Sequence, residues 1–212
     1  MKQVAILGTG MVGQTLAGGF VKHGYGVVMG TKRPEKELKW EIPTPPPVAT
    51  YEKAARGADL IVLAVKGTVA EEVAKAIAPH VKGKTILDAT NPIADAPTDD
   101  GVLRFFTTLE ESLMERMQKL APEGHFVKAF SCVGNAMMVN PDFGGVQPTM
   151  FICGNSQPAK DEASQILHQF DWEVEDMGSA PAARAIEPLC MSWCIPGFRQ
   201  NQWTHAFKLL RK

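Results

Sequence analysis

The sequence predicts an α/β fold: a doubly wound, mostly parallel sheet with a short helical extension at the C-terminus. Two observations predict it. Apolar runs without alternation recur along the chain, as for strands buried on both faces, and segments with helical apolar spacing separate them. The first of these runs leads directly into a glycine triplet that opens a helix, Val-Ala-Ile-Leu-Gly8-Thr9-Gly10-Met11-Val12-Gly13.

Val4 to Leu7 reads as a central parallel strand. In the turn after it, Gly8 permits the tight bend and Gly10 lets the backbone approach a pyrophosphate. Gly13 lets the next helix pack closely on the strand, so that phosphates lie over its N-terminus, where free N–H groups favour anions. Val12, Leu16, Ala17 and Phe20 recur at helical spacing, and Lys22, His23 and Gly24 end that helix. Gly26 to Met29 follows as the second strand at βαβ distance. A lone glycine motif is weak evidence, but here strand, turn and helix agree on a dinucleotide-binding unit that closes into a Rossmann-type sheet.

Chains of this kind that bind NAD usually carry Asp or Glu at the end of the second strand. This one carries Gly30-Thr31-Lys32-Arg33, with Lys36 one turn further on. Thr31 and the cations are suited to a 2′-phosphate, and Arg33 adds a planar fork that matches phosphate oxygens. The competing reading is a solvated basic turn balanced by Glu35 and Glu37.

Further strands are expected at Ala58 to Val65, Lys84 to Thr90, Phe126 to Phe130, Met150 to Cys153 and Trp172 to Glu175. Helices are expected near Val69 to Ala78 and over Ala159 to Phe170. Thr108 with Glu111 resembles a capping box opening a helix that runs to about Leu120. Pro43-Thr44-Pro45-Pro46-Pro47 reads as a stiff surface connector and Asp95 to Gly101 as a polar loop. The alternation gives one domain over residues 1–212, with 180–212 as a helical tail or lid.

The chain has 212 residues, 45% of them hydrophobic, and a net charge of −1, which argues against nucleic acid as the main partner. No apolar stretch approaches a membrane span and Met1-Lys2 runs straight into the first strand, so a cytoplasmic protein without a leader is expected. Cys132, Cys153, Cys190 and Cys194 show no ligand spacing and read as free thiols, with no metal site. His23, His80, His125, His168 and His205 are scattered and read as surface or capping residues. Asp88 is either a general acid or, more simply, a residue ordering the loop at its strand's carboxyl end.

Six segments together resemble the NADP-dependent deazaflavin oxidoreductases, which move hydride between coenzyme F420 and NADP, and the reductase domain of the Steap metalloreductases. They are Gly8-Thr9-Gly10 through Gly13, Gly30-Thr31-Lys32-Arg33, Asn91-Pro92, Lys128-Ala129-Phe130-Ser131, Phe151-Ile152-Cys153-Gly154-Asn155 and Arg184-Ala185-Ile186-Glu187-Pro188-Leu189. The resemblance implies that Thr9, Gly10, Met11 and Val12 hold the pyrophosphate and that Thr31, Lys32, Arg33 and Lys36 hold the 2′-phosphate. It places Val65 and Val69 beside the adenosine–ribose side and the Ser131 to Asn135 turn beside the nicotinamide. Ala64, Asn91 and Pro92 complete the implied cofactor-binding set. Ser131 stands where many relatives have Asn, and the segment 93–100 departs from the family pattern.

The resemblance implies hydride transfer between NADPH and a deazaflavin, or FMN or FAD, in a homodimer. No catalytic dyad is visible, in keeping with chemistry carried by the cofactor. Two other classes stay open on the residues alone: an NADPH-dependent reductase of a small carbonyl or imine, and a non-catalytic NADPH sensor. About thirty residues follow Gly178, too few for the helical substrate domain of hydroxyacid or pyrroline-carboxylate reductases. Within that tail, Trp193 to Phe198 is expected at the pocket mouth.

Overall fold

In strand β1 (Gln3–Leu7), every residue after the first is fully buried, because helices cover both sides of the sheet it centres. A computed structural model describes residues 1–36, 39–40 and 44–212. Among these residues the strands form one sheet in the order β3-β2-β1-β4-β5-β6-β7-β8. The other strands are β2 (Gly26–Thr31), β3 (Val48–Thr50), β4 (Leu60–Leu63), β5 (Thr85–Asp88), β6 (His125–Lys128), β7 (Thr149–Gly154) and β8 (Glu173–Asp176). The first six run parallel; β7 pairs antiparallel with β6, and β8 follows β7.

Alternation along β1 divides the core. Val4 and Ile6 face helices α1 (Met11–Lys22) and α5 (Gln157–Gln169), packing with Leu16, Phe20, Ile166 and Phe170. Ala5 and Leu7 face α2 (Tyr51–Gly57), α3 (Gly67–Ile77) and α4 (Leu113–Leu120), packing with Ala54, Val73 and Met117. The order reverses between β1 and β4, which places the switch point of the sheet at their carboxyl ends.

Several boundaries differ from the expectations. β3 and α2 have no counterpart in the sequence reading: β3 is three half-buried residues, formed by parallel pairing to Met29–Thr31. The capping box lies one turn later than Thr108 and Glu111. Ser112 and Glu115 cap α4 reciprocally, and Thr108 meets Glu111 only as an isolated bridge. Of the proline connector, Pro43 lies outside the described residues, and Pro47 O accepts from Met29 N.

The tail is helical only in part. Helices α6 (Ala183–Ile186) and α7 (Leu189–Gln200) are present, but Asn201 adopts a left-handed φ of 54° and ends α7. Residues 202–212 then have no helix, because their polar groups bond to the start of β7 instead. Phe207 O accepts from Thr149 N at 2.8 Å, and Leu209 N donates to Thr149 Oγ1 at 3.1 Å. No described helix is long and apolar enough to cross a membrane.

Candidate functional site

The turn after β1 is built by close packing that only glycine permits. Gly8 has a φ of +122°, and a Cβ on it would lie 2.3 Å from Ala64 O at the end of β4. A Cβ on Gly13 would lie 2.1 Å from Gly8 O, so α1 sits directly against the turn. Gly10 is different: it caps α1 in an extended conformation, and a Cβ there would meet nothing within 4 Å. Two of the three glycines are therefore committed to packing, and the third leaves open space at the N-terminus of α1. Gln14 Nε2 donates to Thr9 O and to Lys39 O, which holds the turn from behind.

Other expected residues follow the carboxyl ends of β1, β4, β5 and β6. Met11 is exposed, Val12 half-buried and Gly13 buried. Ala64 and Val65, both half-buried, touch Gly8, and Val69 lies exposed in the first turn of α3. The loop into α3 presses on the next crossover, since a Cβ on Gly67 would lie 1.9 Å from Asn91 O. Asn91 in turn donates from Nδ2 to Ser131 O at 3.0 Å, joining the exits of β5 and β6. Pro92 is buried beneath them.

Thr31 ends β2 and borders a cavity of about 230 Å³ with Lys32, Tyr51, Glu72 and Val73. Lys32 Nζ pairs with Glu72 Oε1 at 2.9 Å, not with Glu35, and both side chains are largely exposed. Such a pair is worth little and yields readily to a better anion. Burial pushes the Tyr51 hydroxyl above its ordinary range, and the nearby Glu72 charge adds to this. Arg33 and Lys36 are exposed, with no ion pair among the described residues. Glu37, their expected balance, lies outside the described residues.

One feature of the site escaped the sequence reading. Lys128 is fully buried, with Nζ 2.6 Å from Asp88 Oδ2, 3.0 Å from Glu187 Oε1, and donating to Thr90 O at 2.9 Å. Burial alone would lower the Lys128 ammonium, but Asp88 and Glu187 more than offset this and hold it above its usual range. Asp88 Oδ1 accepts from both Thr90 N and Thr90 Oγ1. The Asp88 carboxylate thus orders the loop at the end of its strand. Glu187 also accepts from Leu113 N and Met114 N at the start of α4. The signal was present in the sequence as three charges within apolar segments, separated by forty and fifty-nine residues.

Beside this cluster the tail packs against the turn that follows β6. Trp193 is 6% exposed, stacks on His205 and lies against Gly134 in the Ser131–Asn135 turn. His205 Nε2 is 2.9 Å from Trp193 O, and Trp193 Nε1 donates to His205 O. A cleft of about 220 Å³ beside α7 is bordered by Met191 and Pro188 with Phe105 and Leu109, not by Trp193 to Phe198. All four cysteines are free. Burial pushes the Cys132 thiol, next to Ser131, up to about 12, so it is not a thiolate nucleophile at neutral pH.

Comparison with known proteins matches this architecture. Residues 3–92, from β1 to the Asn91-Pro92 crossover, match the family described as NADP oxidoreductase, coenzyme F420-dependent. The metalloreductase STEAP3 of Rattus norvegicus is 29% identical over 199 residues, covering 92% of this chain and 38% of its own length. An F420-dependent NADP reductase of Methanocaldococcus jannaschii is 26% identical over 137 residues, covering 64% of this chain and 60% of its own. The chain therefore spans less than two thirds of the length of these curated relatives. A candidate F420-dependent NADP reductase from Arthrobacter sp. FB24 superposes with a TM-score of 0.89 and 29% identity, covering all of both chains. The resemblance implied by the sequence stands on these findings: residues 3–92 match the family of coenzyme F420-dependent NADP oxidoreductases, and the whole chain is similar to a candidate reductase of that kind.

Proposed function

We propose that the chain binds NADPH across the carboxyl ends of β1 and β4 and moves hydride between it and a deazaflavin or flavin. The observation that carries this reading is the glycine turn. Gly8 and Gly13 are consumed in packing, while Gly10 leaves open space at the start of α1, the shape a pyrophosphate requires. The basic residues after β2 support the 2′-phosphate form: Lys32 is engaged only by an exposed carboxylate, and Arg33 and Lys36 are free among the described residues.

When bound, NADPH supplies the hydride and its two electrons. The chain's own residues supply position. The N-terminal amides of α1 face the phosphates, Thr31 and the cations select the 2′-phosphate, and the buried Lys128 cluster fixes the Thr90-Asn91-Pro92 crossover. No side chain is needed as acid or base for transfer between two stacked rings, which depends on orientation and close approach. Homodimerisation and a cytoplasmic location belong to the same reading.

The test mixes protein and NADPH anaerobically with deazaflavin, FMN, FAD or no acceptor, and follows both chromophores. Rapid reduction of the deazaflavin or of a flavin is the expected result. Measurable NADPH binding with no acceptor reduced would overturn the hydride-transfer half of the proposal.

A further inference from the structure

Buried polar atoms are nearly always hydrogen-bonded. In this crevice, among the described residues, two neutral ones are not: Asn91 Oδ1 and Ser131 Oγ. They sit on adjacent strand exits and are tied to one another, because Asn91 Nδ2 donates to Ser131 O. That bond uses a donor of the Asn91 amide and leaves its oxygen as an unspent acceptor.

The surroundings hold both groups in place. Phe130, immediately before Ser131, has a φ of +61°, a conformation that costs energy for an aromatic residue. Its N–H meets Met150 Sδ, and Ala129 N donates to Asp88 O. On the Asn91 side, Thr90 is fixed by Asp88 and by Lys128. Strained backbone and two unmade hydrogen bonds are thus concentrated at one point of the crevice.

We infer that Asn91 and Ser131 together recognise a primary carboxamide, that of the bound nicotinamide; this rests on the NADPH reading above. The chemistry of the pair selects that group. Asn91 Oδ1 only accepts, so its partner must carry an N–H or O–H, which excludes carboxylates, phosphates, esters and ketones at that position. The Ser131 hydroxyl donates as well, and so it suits a carbonyl oxygen. A primary carboxamide presents both on one carbon.

The test measures equilibrium binding of three ligands: NADPH, its reduced 3-acetylpyridine analogue, which keeps the carbonyl but lacks the amide N–H, and 2′-phospho-ADP-ribose, which lacks the ring. Wild type is expected to prefer NADPH over the analogue by about three- to tenfold, the worth of one neutral hydrogen bond. Ser131→Ala removes a hydroxyl without a protein partner, so its thermal midpoint should not fall. It should weaken NADPH and the analogue alike, by about three- to tenfold, and leave 2′-phospho-ADP-ribose unchanged. Asn91→Leu should abolish the preference for NADPH over the analogue. The inference is overturned if wild type does not discriminate the analogue, or if Ser131→Ala binds NADPH normally. It is equally overturned if that variant weakens 2′-phospho-ADP-ribose as much as NADPH. If wild type binds neither NADPH nor 2′-phospho-ADP-ribose, the NADPH reading itself has failed.

Discussion

Gly10 and Gly13 belong to one motif, yet the structure assigns them opposite physical roles, and a pair of substitutions separates them. A Cβ at position 13 would lie 2.1 Å from Gly8 O and 2.9 Å from Gly8 C. The oxygen contact falls about 1.4 Å inside ordinary van der Waals distance. Both neighbours are backbone and cannot rotate away, so α1 must lift off the turn. Overpacking of this kind costs about 3 kcal/mol or more when main chain has to yield. For a chain of this size, Gly13→Ala should lower the thermal midpoint by roughly 6–12 °C.

At position 10 a Cβ would have no neighbour within 4 Å, and the φ of −76° with ψ of −178° suits any residue. For Gly10→Val, reduced freedom of the unfolded chain and loss of a favourable N-cap residue nearly cancel, leaving stability within about 1 kcal/mol. The added methyls occupy the approach to the α1 amides. Loss of two charge-assisted bonds there should weaken NADPH at least about a hundredfold. Differential scanning fluorimetry with and without NADPH, together with fluorescence titration, reads both effects. Gly13→Ala should lose stability and binding together, and Gly10→Val should lose binding alone. Undiminished NADPH affinity in Gly10→Val would refute the assignment of that space to the pyrophosphate, and a Gly10→Val midpoint as low as that of Gly13→Ala would refute the packing argument.

Arg33→Ala should weaken NADPH by roughly ten- to a hundredfold and leave NADH nearly unchanged, since one charge-assisted phosphate contact is removed; equal losses for both cofactors would show that Arg33 does not meet the 2′-phosphate. Lys128→Met removes the cation from two buried carboxylates, Asp88 and Glu187, and should destabilise by about 3–5 kcal/mol, read as a fall of roughly 1–2 M in the urea midpoint. A loss below about 1 kcal/mol would contradict a charged, buried cluster. The Arg184 guanidinium, bonded to Glu115 through Nε and Nη2, holds that carboxyl well below its usual 4.5, at about 2, despite partial burial that acts the other way. Because the folded value is depressed, this stabilisation is full above about pH 4.5 and is lost as the pH falls towards 2. Glu115→Gln should therefore cost roughly 1–2 kcal/mol at pH 7, an amount discounted because Arg184 is 39% exposed, and almost nothing near pH 2. A penalty that stays constant between pH 7 and pH 3 in urea titrations would refute the ion pair as its source.

How much of this was legible in the sequence follows from the range over which each feature is determined. The β1–α1–β2 unit was readable because its signals are local: an unbroken apolar strand, three glycines at fixed offsets, and a helical period directly behind them. β3 carries no such signal. Val48–Thr50 is a strand only because Met29–Thr31 offers it a free parallel edge. The misplaced capping box shows local signals competing. Thr108 with Glu111 and Ser112 with Glu115 both satisfy the pattern, and the later pair prevails because Glu187, more than seventy residues away, accepts the amides of Leu113 and Met114. The antiparallel turn of β7 and the extended end of the tail were invisible for the same reason, since both are settled by partners across the sheet.

The candidate site divides along the same line. Its half around the glycine turn is a local motif, and its members could be named from the sequence. Its other half is an assembly of distant residues: Asp88, Asn91, Lys128, Ser131 and Glu187 come from two strand exits and a C-terminal helical segment. Within that assembly the charged members are paired with one another, whereas Asn91 Oδ1 and Ser131 Oγ are not matched. A core that spends three buried charges to fix one crossover, and then leaves two neutral polar atoms unmatched beside it, makes physical sense if the rigidity serves something outside the chain. The charged cluster sets where the crossover lies, and the unmatched pair defines what it is held in place to meet.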